Sequence, residues 1–101
     1  MTSFDEHVRR ALDSLPPDIA AKLENVAVVV EDENPDDPSI FGLFDQPAYL
    51  PARISVYRGP LEDEFGDDPE VLEHEIRVTV LHEVAHYFGI DEARLHELGY
   101  G

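Results

Sequence analysis

His82 and His86 stand four residues apart, with Glu83 beside the first. On an α-helix such a pair lies about 40° apart around the axis, so both imidazoles can reach one metal ion. Glu83 falls about 100° from His82, on the flank of the pair. A carboxylate there is placed to take a proton from a water in an open position of the metal, rather than to bind the metal itself. A catalytic zinc commonly has three protein ligands, so a third group is needed. Gly89 permits a sharp reversal just past the helix, and the chain can then return Glu92, ten residues beyond His82, toward the metal. Asp91 is the alternative third ligand. It is also suited to cap the helix that follows, which favours Glu92 for the metal.

These residues need a long helix to carry them, and the sequence predicts one over about Pro69 to Phe88. Asp68 is a good N-cap, Pro69 suits the first helical position, Glu70 suits the positive dipole end, and Gly89 suits the left-handed C′ position. Leu72, Ile76, Val80, Val84 and Phe88, widened by Leu81 and Ala85, form its expected core stripe. A short helix over about Glu92 to Leu98 closes the chain. Toward the N-terminus, Phe4, Val8, Ala11, Leu12 and Leu15 recur at helical spacing after Ser3, an N-cap with Glu6 three residues on. Pro16-Pro17 ends that helix, and a second short one carries Ile19, Ala20 and Leu23. Val26 to Val30 reads as a strand buried on both faces. Ile40 to Phe44 reads as a strand bent at Gly42. Ala52 to Tyr57 reads as a strand with Arg53, Ser55 and Tyr57 on one face and Ile54 and Val56 on the other. Glu31 to Pro38 and Leu61 to Asp68 read as acidic loops. The fold class expected is α+β.

Further residues could assist the metal constellation. Thr79 and Glu75 continue the His82 stripe and could hydrogen-bond the outer ring nitrogen of a ligand histidine. His96 follows Glu92 by four residues and can share its face. Tyr87 and Tyr100 are near enough in sequence to offer a hydroxyl to an oxyanion. His7 and His74 have no motif around them and read as surface residues. The Arg53 to Tyr57 strand, if at a sheet edge, could take up an extended peptide by strand addition.

Composition narrows the partners. A chain of 101 residues fits one domain, residues 1-101, and its 43% apolar content is that of a folded chain. The net charge of −16 speaks against nucleic acid and anionic membranes and would attract cations or basic peptides. Charge thus favours a basic peptide or protein as partner; the oligomeric state is left open. No cysteine is present, which excludes disulfides and thiolate zinc sites. No apolar run is long enough to span a bilayer, and the first residues carry no signal-peptide pattern, so a cytoplasmic location is expected.

The run from Leu81 to Glu92 resembles the zincin metallopeptidases, and most closely the small bacterial minimal zincins, which carry the pattern H-E-x-x-H-x-x-G-x-x-[D/E]. The resemblance implies a short mixed β-sheet packed against a long active-site helix with flanking helices. It implies Zn2+ as cofactor, with His82, His86 and Glu92 as ligands and Glu83 as catalytic base in peptide-bond hydrolysis, so that the partner would be a peptide or protein substrate. Larger metzincins have His at the position of Glu92 and a methionine turn beneath the metal; the only methionine here is Met1. The rival reading is a non-catalytic acidic domain stapled by its metal that binds a protein partner.

Overall fold

The computed structural model describes residues 3–97, and Glu92 by its backbone alone. Within them the order is α1 (Phe4–Asp13), α2 (Pro17–Lys22), β1 (Val26–Glu31), β2 (Gly42–Asp45), β3 (Ala52–Tyr57), α3 (Arg58–Phe65), α4 (Pro69–Phe88) and α5 (Glu92–Glu97). The expected α+β class and short mixed sheet are found. The strands lie in the order β1-β3-β2, with β3 parallel to β1 and antiparallel to β2. No helix among the described residues is long and apolar enough to cross a membrane.

The long helix has the bounds its capping residues dictate. Asp68 accepts from the backbone N–H of Glu70 at 3.0 Å and of Val71 at 3.4 Å, satisfying donors that have no partner inside the helix. Gly89 ends it at φ 69°, ψ 30°, a left-handed conformation in which a Cβ is disfavoured. Asp68→Ala is expected to cost about 1 kcal/mol, read as a lower urea midpoint at unchanged slope. Leu72, Ile76, Val80, Leu81 and Val84 are buried as expected, but Phe88 is exposed. An every-fourth-residue stripe precesses about 40° per step, so its fifth member has turned about 160° from its first.

The two strand readings exchange places. The apolar run of β1 is only half-buried, with Ala27 exposed, because β1 is an edge strand. Val26, Val28 and Val30 pack on the core, leaving the other face of β1 less covered. The alternating strand β3 is central and covered on both faces. Tyr57 and Ser55 are buried along with Ile54 and Val56, because the loop after β1 folds over that face. There buried Asn34 donates from Nδ2 to the Tyr57 hydroxyl at 2.9 Å, and its Oδ1 accepts from the amides of Asp36 and Asp37. Strand addition to β3 is excluded because it is central, and the outer side of β2 is the sheet edge nearest α4.

The second acidic loop is largely helical. Within α3, Leu61 is fully buried, Phe65 packs on Phe41 with ring centroids 5.6 Å apart, and Arg58 pairs with Glu62 at 3.5 Å. Burial of Leu61 outweighs the poor helix propensity of its glycine and aspartate neighbours. His7 is no surface residue: it is 6% exposed, with Nδ1 3.2 Å from Glu73 Oε2 where α1 packs on α4. Ser3 caps α1 as expected, accepting from Glu6 N–H.

Candidate metal centre

α4 presents His82 and His86, both exposed, on one side of its last two turns. They line one cavity of about 880 Å³ together with Ala85, Ile90, Ala93, Leu95 and His96. The turn at Gly89 makes this possible by bringing α5 back across the end of α4. Leu95 anchors α5 in the core, and Arg94 pairs with Asp18 of α2 at 2.8 Å. His96, expected only as an assistant, is thus brought to the same cavity as the two α4 histidines.

Of the two predicted third ligands, only Asp91 is described by its side chain. Asp91 is the N-cap of α5, its Oδ1 accepting from Arg94 N–H at 2.8 Å. Glu92 heads α5, and its side chain lies outside the described residues, as does Tyr100. Among the described residues no three His, Asp or Glu side chains converge on a metal position. The described donors, two imidazoles four residues apart on one helix face and open to one cavity, suit a borderline-soft divalent ion such as zinc, with one protein ligand still required.

Glu83 points off the flank toward the sheet. Its Oε2 accepts from the backbone N–H of Phe44 at 3.1 Å. That amide is available because of the strand register. Tyr57 N–H donates to Phe41 O at 2.9 Å, and antiparallel bonding alternates. Leu43 and Asp45 therefore bond toward β3, while Gly42 and Phe44 direct their backbone groups to the outer edge. Half-burial of Glu83 pushes its carboxyl above the usual glutamate range, against the opposing effects of the Phe44 amide and the two imidazoles.

Gly42 sets how closely β2 approaches. A Cβ there would lie 2.6 Å from Thr79 Cγ2 and 3.2 Å from the Ser55 carbonyl oxygen. Thr79 itself donates from Oγ1 to the Glu75 carbonyl at 2.8 Å, so its hydroxyl proton serves the helix rather than a histidine ring. The Phe44 amide and Gly42 were not singled out by the motif. A glycine inside an apolar stretch, the mark of a close backbone approach, was the one signal for either.

One turn beyond Glu83, Tyr87 stacks on Phe44, ring centroids 4.0 Å apart and planes at 21°. Its hydroxyl donates to Gln46 Oε1 at 2.9 Å, so this tyrosine is tied to the end of β2 rather than offered to the cavity.

A family model described as zincin-like metallopeptidase matches residues 23–101 of the chain. No curated protein matches it.

Proposed function

Since the chain belongs to the zincin-like metallopeptidase family, we propose that it is a zinc-dependent peptidase whose base is Glu83 and whose metal is held by His82, His86 and Glu92. The observation that carries this reading is the Glu83 carboxylate, half-buried on the flank of two cavity-lining imidazoles and anchored by one oxygen to the Phe44 amide. Asp91 spends an oxygen on capping α5, which supports Glu92 as the third ligand. Zinc, when bound, would polarise the scissile carbonyl and acidify water.

The rest is the work of the chain. Glu83 Oε2 stays with the Phe44 N–H, and Oε1 accepts the proton of the attacking water. The partial burial that raises the affinity of Glu83 for a proton suits it to this task. The carboxyl then delivers that proton to the leaving amine, which departs neutral. The outer edge of β2 beside Glu83 leaves the Phe44 carbonyl for the backbone of an extended peptide to pair with, its N–H being held by Glu83.

The test is metal content by elemental mass spectrometry on protein purified without a nickel column. Stoichiometric zinc, lost in His86→Ala, is expected, and hydrolysis should vanish on chelation and return with zinc. Absence of zinc even after its supply would overturn the reading. Unfolding on chelation, with no peptide ever cleaved, would favour the stapled binding domain instead.

A further inference from the structure

Thr79, Glu83 and Tyr87 recur every fourth residue on α4, so they form one row that climbs about 6 Å per step. Alternate residues of a strand advance about 6.8 Å, so a strand laid along the helix keeps step with such a row. Gly42, Phe44 and Gln46 follow it in order. A Cβ on Gly42 would lie 2.6 Å from Thr79 Cγ2 and 3.8 Å from Glu83 Cγ. Phe44 meets Glu83 through its N–H and Tyr87 through its ring. Gln46 meets Tyr87.

These contacts are unequal. The one at Gly42 limits how closely β2 approaches and supplies little attraction. The bond from Phe44 N–H to Glu83 lies at the sheet edge on a half-buried carboxylate, where water competes for both partners. Tyr87 supplies the attraction. Its ring lies on the Phe44 ring, centroids 4.0 Å apart and planes at 21°, and its hydroxyl donates to Gln46 Oε1 at 2.9 Å. A stacked ring pair contributes beyond the area it buries. Gln46 follows Asp45, the last residue of β2 paired with β3. The ladder therefore ends before Gln46, and the Tyr87 hydroxyl ties it to α4.

Resting on the peptidase reading above, we infer that Tyr87 is a positioning residue for Glu83. Its ring on Phe44 and its hydroxyl on Gln46 pin β2 to α4. So pinned, β2 keeps the Phe44 N–H on Glu83 Oε2 and leaves Oε1 to the attacking water. A glutamate without that amide would spread over several rotamers, and a misplaced base loses rate steeply. Tyr87 itself touches no reacting atom.

Amide hydrogen exchange and peptide hydrolysis, measured on Tyr87→Ala, Tyr87→Phe and the unaltered protein, test this role. Tyr87 is exposed, so neither variant opens the core. In Tyr87→Ala the Phe44 amide should exchange at least about tenfold faster, while the amides of Leu43 and Asp45, which bond toward β3, keep their rates. Zinc content should be unchanged, and kcat should fall at least about tenfold at unchanged KM. Tyr87→Phe keeps the stacked ring and should recover most of both losses. Unaltered Phe44 exchange in Tyr87→Ala, faster exchange of all three amides together, or an unaltered kcat each overturns the inference. Absence of hydrolysis by the unaltered protein overturns the peptidase reading instead, and the exchange rates alone then decide whether Tyr87 holds the Phe44 amide on Glu83.

Discussion

Glu83→Gln is expected to lower kcat/KM for peptide hydrolysis by about 100- to 10,000-fold, the range for loss of a positioned base, while stoichiometric zinc remains. The substitution is nearly isosteric, and the glutamine oxygen can still accept from the Phe44 N–H that now holds Glu83 Oε2 at 3.1 Å. The position of β2 and the two imidazoles should therefore be undisturbed, and only the capacity to take a proton is lost. A fluorogenic peptide assay paired with elemental analysis checks both halves. Turnover at the unaltered rate would remove Glu83 as the base. Loss of zinc along with activity would instead assign Glu83 to holding the metal centre together.

The part of this site that lies on α4 was legible in the sequence because every determinant is local. Asp68 and Pro69 start the helix, Gly89 stops it, and the histidine spacing follows from its pitch. The capping role of Asp91 was legible for the same reason. What could not be read is what faces α4 from elsewhere. The Phe44 amide is 39 residues from Glu83, and its outward direction depends on the pairing of β2 with β3. The β1 run misled because an uninterrupted valine stretch fits both a central strand and an edge strand with one face on the core. The composition of α3 reads as a loop, and only its packing of Leu61 and Phe65 makes it helical. Local signals therefore give the two histidines and the glutamate on α4, and sheet topology gives the surface that holds Glu83.

That surface can be tested through the residue that lets it approach. Gly42→Ala places a Cβ 2.6 Å from Thr79 Cγ2, far inside van der Waals contact, so β2 must move off α4. A cost of about 1 to 3 kcal/mol in stability is expected for such overpacking. Activity should fall as well, because the movement withdraws the Phe44 amide from Glu83 while leaving His82 and His86 in place. Thr79→Ser removes the offending methyl and keeps the hydroxyl that donates to Glu75 O; alone it should cost about 1 kcal/mol for one buried methyl group. In the double variant the methyl introduced in place of the Gly42 hydrogen occupies the space vacated by the threonine methyl. Its stability and kcat should exceed what the two single losses add up to, a coupling that denaturant unfolding and the peptide assay both read. The Ser55 carbonyl oxygen, 3.2 Å from the added Cβ, is not relieved, so recovery stops short of the native level. Strict additivity in both measurements would show that the Gly42–Thr79 contact does not govern how β2 presents its edge to Glu83.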